Sequence, residues 1–112
     1  MTSSTYLLHH LIYSAAERQA DAPAVTASGD TVTYEDLKAS VTAFSTGVLN
    51  LGLRRSQRVA VYLDKRHETV TAFFGTSAAG GVFVPINPIL KSEQVGHILR
   101  DCSVRVLVTS IE

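Results

Sequence analysis

The stretch FFGTSAAGGVFVPINP, residues 73–88, sets three glycines within seven residues beside an apolar run. Two folds read it differently. In a phosphate-binding fold the glycines follow a strand and precede a helix, so that backbone N–H groups and the helix N-terminus meet the anion. In the other reading the glycines stop a helix and turn the chain into a strand. The flanks decide. HETVTAFFGTSAAG (67–80) has helical character and VFVPI (82–86) is a short apolar run of strand type, so the helix comes first. Its C-terminus carries partial negative charge, which repels phosphate. Neither G-x-x-x-x-G-K-[ST] nor G-x-G-x-x-G occurs. Gly80 and Gly81 are therefore a helix stop, and one of them is expected at positive φ.

Outward from this helix–strand junction the order repeats. RVAVYL (58–63) precedes the helix, and KSEQVGHILRDC (91–102) follows VFVPI with Ser92 as its expected cap and Val95, Ile98, Leu99 and Cys102 as its buried stripe. VRVLVT (104–109) completes strand–helix–strand–helix–strand, which means two βαβ units and a parallel sheet. Pro85 cannot donate to a ladder, so it predicts a sheet edge, a bulge or a strand end. Strands in sequential order with right-handed crossovers would put both helices on one face and leave both sheet edges bare. On that basis the isolated chain is expected to self-associate as a homo-oligomer.

On the N-terminal side, Leu8, Leu11, Ile12 and Ala15 fall at helical spacing after a capping cluster Ser3-Ser4-Thr5, and Pro23 ends that helix before Asp21. AVTASGDTVTY (24–34) reads as a hairpin about Ser28-Gly29-Asp30. Thr33 starts the next helix with Asp36 three residues on, as in a capping box. Leu37, Val41, Phe44, Val48 and Leu51 form its stripe, Gly52 its stop, and Gly47 the expected close contact. The fold class is α/β: an N-terminal helix and β-hairpin, then a βαβαβ parallel-sheet segment.

The 112 residues suffice for one small domain, and 46% apolar with 18% charged residues suits a packed core. Ten basic residues balance ten acidic ones, so no net charge points to nucleic acid or an anionic membrane. Basic residues cluster only locally, at Arg54, Arg55 and Arg58 and at Lys65-Arg66-His67. The single cysteine, Cys102, excludes an internal disulfide framework and fits a cytoplasmic location. No apolar run is long enough to span a bilayer. His9-His10 point about 100° apart on a helix and are poorly placed to share a metal. Adjacent His67 and Glu68 do not face each other; they belong to a helix start. Cys102 continues a core stripe, and no serine sits in G-x-S-x-G. The residues thus carry no visible catalytic constellation, which leaves open a free-standing interaction or binding module.

In chain order, the same stretches resemble the N-terminal part of the AMP-forming, adenylate-forming enzymes: acyl-CoA ligases, nonribosomal adenylation domains and luciferases. TVTYEDL (31–37) is similar to the first core motif of that family, with Thr33, Tyr34 and Leu37 at its positions. FFGTSAAGGVFVPINP resembles the second, with Gly80, Gly81, Pro85 and Pro88. LGLRRSQRVAVYLDKRHETVTAFFG between them and KSEQVGHILRDCSVRVLVTS beyond them fit the intervening and following segments, so the resemblance covers Leu8 to Ser110. Gln57 stands where Asp is usual, and Ser77 where Lys is usual.

The resemblance implies that residues 1–112 are a truncated N-terminal portion of an AMP-binding (adenylation) domain. The parent would activate a carboxylic acid with ATP and magnesium and, in the ligase branch, pass it to coenzyme A. The phosphate loop, the ribose-binding Asp and the catalytic Lys of the family lie beyond the matched motifs, so no catalytic residue, metal ligand or bound cofactor is expected here. The partner implied is the remainder of the parent enzyme. INPILKSEQ (86–94) is closer to the coenzyme A ligases than to nonribosomal domains, and it makes Lys91 the one candidate for the coenzyme's phosphates.

Overall fold

A computed structural model describes residues 8–27 and 29–110. The proposed Ser3-Ser4-Thr5 cap, and Ser28 at the hairpin tip, lie outside them. The elements run α1 (Leu8–Arg18), β1 (Pro23–Ala27), β2 (Asp30–Thr33), α2 (Tyr34–Asn50), β3 (Arg58–Tyr62), α3 (His67–Ala78), β4 (Val82–Pro85), α4 (Ser92–Asp101) and β5 (Val104–Thr109).

β1 and β2 form an antiparallel hairpin, and Gly29 supplies the positive φ its turn needs. β3, β4 and β5 form a parallel sheet. Its order is β4-β3-β5 rather than sequential. That order corrects the expectation of both crossover helices on one face. The β3→β4 and β4→β5 crossovers run in opposite directions across the sheet, and crossovers of one hand then place α3 and α4 on opposite faces. The packing agrees. Val59, Val106 and Val108 meet Val48, Phe44 and Ala79 of the α2/α3 layer. Ala60, Tyr62, Val84 and Val104 meet Val95, Ile98 and Leu99 of α4. α1 closes the first layer, with Ile12 packed on Leu37 and Val41.

Two adjacent helices stop by the same device. After α2, Gly52 (φ +98°) donates to the Leu49 carbonyl and Leu53 to the Val48 carbonyl. After α3, Gly80 (φ +79°) donates to Ser77 and Gly81 to Thr76. Both are Schellman motifs, in which a left-handed residue lets two N–H groups fold back on the last turn. Gly81 is pinned otherwise: an added Cβ would sit 3.1 Å from the Gln57 carbonyl oxygen, Leu53 Cδ2 and Thr76 Cγ2. Alanine at Gly80 is therefore strained by φ and at Gly81 by crowding. Each substitution is expected to cost about 1 kcal/mol or more, read as a lower urea midpoint at unchanged m-value.

Several side chains depart from the sequence reading. Leu8 and Leu11 are exposed, while His9 is buried in their place. Leu51 is 68% exposed and Leu53, only 4% exposed, fills the core below it. Gly47 has nothing near it; the tight glycine is Gly75 on α3, against Phe44 of α2. The N-cap of α4 is Lys91 rather than Ser92, and its N–H donates to Gln94 Oε1 at 2.9 Å. At α2, Thr33 Oγ1 accepts from the Asp36 N–H at 3.2 Å. Pro85 ends the edge strand β4, the one place its missing donor is harmless.

Candidate functional site

An open sheet of order β4-β3-β5 has its switch point between β3 and β5, because the chain leaves β3 toward one side and returns to the other. Ligands of such sheets bind in the crevice outside the strand carboxyl ends at that point. Here that crevice measures about 310 Å³ and is lined by Tyr62, Leu63, Asp64, Arg66, Pro88 and Thr109, among others.

Each wall is held locally. The Thr109 hydroxyl donates to the Tyr62 carbonyl at 3.0 Å and ties the ends of β3 and β5 together. The Tyr62 hydroxyl donates to the Leu90 carbonyl, which anchors the turn after β4. In that turn Asn87 Oδ1 accepts from the Ile89 N–H at 3.1 Å, and Pro88 supplies the preset φ of its second position. Arg66 Nε donates to Asp64 Oδ1 at 2.6 Å. This hydrogen bond, more than any other influence, holds the Asp64 carboxyl below the usual carboxylate range. Thr69 Oγ1 donates to the Asp64 carbonyl, and His67 Nε2 donates to the Asp30 carbonyl, docking the hairpin on the start of α3.

The crevice is polar, but its groups satisfy one another, and no nucleophile faces a base. Lys91 is exposed at the N-cap of α4. Thr33 and Tyr34 build the start of α2, where the Tyr34 N–H donates to the Ala22 carbonyl, and Leu37 is core. Gly80 and Gly81 lie at the opposite, amino-terminal end of the sheet. Of the residues singled out from sequence, Pro88 and Arg66 of the second basic cluster reach the crevice. Tyr62 and Asp64 were missed; their signal was position, at and just past the end of the first strand of a βαβ unit.

Among the described residues, His9 Nδ1 and Ser77 Oγ form a histidine–hydroxyl pair, 3.2 Å apart. It lacks an oxyanion hole, because the nearby Gly80 and Gly81 N–H groups are spent on the helix stop. The contact instead seats α1 on α3, and Ser77 gains there a role that the lysine usual at its position could not fill in the same way. Gln57, in place of the usual Asp, accepts the Arg54 N–H through Oε1 at 2.7 Å, as a carboxylate could.

Burial, and secondarily the neighbouring His10, pushes the His9 pKa below its ordinary value. The folded state thus favours neutral imidazole. Above about pH 6.5 this neutral form costs nothing relative to the unfolded chain; as pH falls below that, the unfolded chain takes up the proton first and stability declines until the folded-state value is passed. Urea midpoints are expected to drop between pH 7.5 and pH 5.5, and His9→Gln is expected to flatten that drop.

The residues present do not by themselves fit ATP or magnesium. The glycine turn presents a helix C-terminus, and among the described residues no cluster of three His, Cys, Asp or Glu side chains could hold a metal. Among those residues also, no helix is long and apolar enough to cross a membrane.

Comparison with known proteins places the chain. The AMP-binding enzyme family matches residues 12–112. The chain belongs to that family. Among curated members it is 32% identical over 107 residues to the N-(5-amino-5-carboxypentanoyl)-L-cysteinyl-D-valine synthase of Penicillium rubens, covering 96% of this chain and 3% of the synthase. It is 37% identical over 103 residues to the phenyloxazoline synthase MbtB of Mycobacterium tuberculosis, covering 92% of this chain and 7% of that protein. The chain thus spans a small part of the length of these AMP-binding relatives. Among solved structures, the nonribosomal peptide synthetase FmoA3 superposes with a TM-score of 0.91 at 28% identity, over 99% of this chain and 12% of that one. The anthranilate CoA ligase AuaEII gives 0.88 at 26% identity, over 97% and 22%. The α/β architecture is therefore that of adenylate-forming enzymes.

Proposed function

We propose that this chain is the N-terminal scaffold of an ATP-dependent, carboxylate-activating enzyme that forms an acyl-adenylate and delivers the acyl group to a thiol. The observation that carries this reading is the family match across residues 12–112 together with the fold. Activation matters physically because a carboxylate is a poor electrophile and AMP is a good leaving group. This chain's own part is to build the α2/α3 and α4 layers on which the remaining enzyme rests. The missing ATP and magnesium contacts would come from that remainder, and a cytoplasmic setting fits the lone Cys102.

Two acceptors are in play. Nonribosomal peptide synthetases among the relatives, at 35% and 30% identity, favour a carrier-protein thiol. The turn INPILKSEQ and the likeness to AuaEII favour coenzyme A, with Lys91 at the exposed start of α4 reaching the coenzyme's phosphates.

Acid-dependent ATP–pyrophosphate exchange by the full-length protein, and none by the 112-residue chain, is the expected result. Exchange by the short chain would sink the scaffold reading. For the acceptor, Lys91→Ala in the full-length protein raises KM for coenzyme A with adenylation unchanged if the coenzyme docks there. Unchanged coenzyme kinetics, with transfer to a phosphopantetheinylated carrier, support the carrier reading.

A further inference from the structure

The end of the sheet opposite the crevice has a charge pattern that acyl activation does not use. Arg54, Arg55, Arg58, Arg100 and Arg105 all lie at the amino-terminal end of β3, β4 and β5, and all are exposed. Asp101 is the one acidic residue beside them among the described residues, and it is engaged by His97 at 3.0 Å. Half of the ten basic residues thus gather at one end of a chain with no net charge. Among the described residues, Arg54, Arg55, Arg58 and Arg105 have no ion-pair partner.

The loop that presents them is fixed in advance. Ser56 takes φ +67°, an uncommon conformation for a residue with a side chain. It is held there by Ser56 N–H to the Gly80 carbonyl at 2.8 Å, Gln57 N–H to the Arg54 carbonyl at 3.0 Å and Arg54 N–H to Gln57 Oε1 at 2.7 Å. The Arg55 stem lies over Gly80, its Cγ 4.0 Å from where a Cβ would be. Beside it opens a groove of about 570 Å³, with Leu8, Phe73, Ala78 and Phe83 along its apolar wall. Leu8 in that wall is itself 48% exposed.

Three helices, α2, α3 and α4, end at this face, so some of the arginine charge offsets their dipoles. Dipole compensation accounts for cations near helix ends. It accounts neither for an apolar groove alongside nor for a strained loop held rigid by hydrogen bonds.

We propose that the amino-terminal face of the sheet is a docking surface for an acidic protein segment, whose carboxylates pair with Arg54, Arg55 and Arg105 while an apolar anchor enters the Phe73/Phe83 groove. Charge complementarity selects an acidic partner, and the groove selects a polypeptide with apolar side chains over a polyphosphate chain. The zero net charge also withholds the long-range attraction a nucleic-acid surface needs. This docking face is independent of the acyl-activating role.

The test uses the full chain and a fluorescein-labelled amphipathic helical peptide with glutamates on one face and leucines on the other. Fluorescence anisotropy is expected to give saturable binding that weakens with salt. Arg55→Glu and Arg105→Glu are each expected to weaken it about ten-fold, and Leu8→Ser several-fold, with urea midpoints unchanged. Equal binding of polyglutamate, of a single-stranded oligonucleotide or of anionic phosphatidylserine vesicles would overturn the proposal. So would lowered urea midpoints with unchanged peptide binding, which would leave the arginines as dipole compensators.

Discussion

Gly75→Val is expected to destabilise the chain by about 3 kcal/mol, at the top of the range for overpacking a core. Gly75 is buried where α3 crosses α2, and an added Cβ would lie 2.5 Å from Phe44 Cδ1 and 3.0 Å from Phe44 Cβ and Cγ. No real Cβ tolerates the shorter distance, and Phe44 Cβ is fixed to the α2 backbone, so the helices must separate or the ring must leave its rotamer. Alanine would meet the same clash, partly offset by about 1 kcal/mol of helix propensity gained over glycine. Chemical denaturation of Gly75→Val, Phe44→Leu and the double variant reads this out. The double variant is expected to recover a good part of the loss, because the two positions share one space. Additive effects would mean that the contact is not what holds α2 and α3 together.

Leu53→Ala is expected to cost about 3 kcal/mol, and Leu51→Ala less than about 0.5 kcal/mol. The two leucines flank Gly52, and only one is core. Leu53 packs with Val48 and Val59 beneath the sheet, whereas Leu51 caps α2 in solvent. Thermal or urea melts of the two variants give the comparison directly. Similar losses from both would mean that the last turn of α2 packs differently.

That pair shows where the sequence is legible and where it stops. The periodicity from Leu37 to Val48 extends to Leu51 on angle alone, but the helix axis there has run past the sheet it covers. The available signal was the helix stop itself: a Schellman motif brings the residue after its glycine back onto the last turn, which selects Leu53. The helix-before-strand order around Gly80 and Gly81 was readable because it depends only on local pattern, and so were the hairpin and the edge position of Pro85. The strand order was not, because a βαβ unit does not say on which side of its first strand the next one will lie. Gly47 and Gly75 are equally plausible close contacts in one dimension. Only the packing of α3 on α2 distinguishes them. The crevice eluded sequence reasoning for the same reason, since Tyr62, Asp64, Pro88 and Thr109 come together only once β5 is placed beside β3.

Pro85 has a consequence for how this sheet can be extended. The N–H groups of Val82 and Ile86 are committed to carbonyls of the β3 segment, so alternation turns position 85 outward, where proline has nothing to donate. The β4 border thereby offers a new neighbour one backbone donor fewer. β5 has no proline, carries the 41% exposed Leu107, and among the described residues pairs only with β3. A complementing strand, whether continuous with the chain or supplied separately for reconstitution, therefore meets a proline-free row of backbone groups along β5 and an interrupted one along β4.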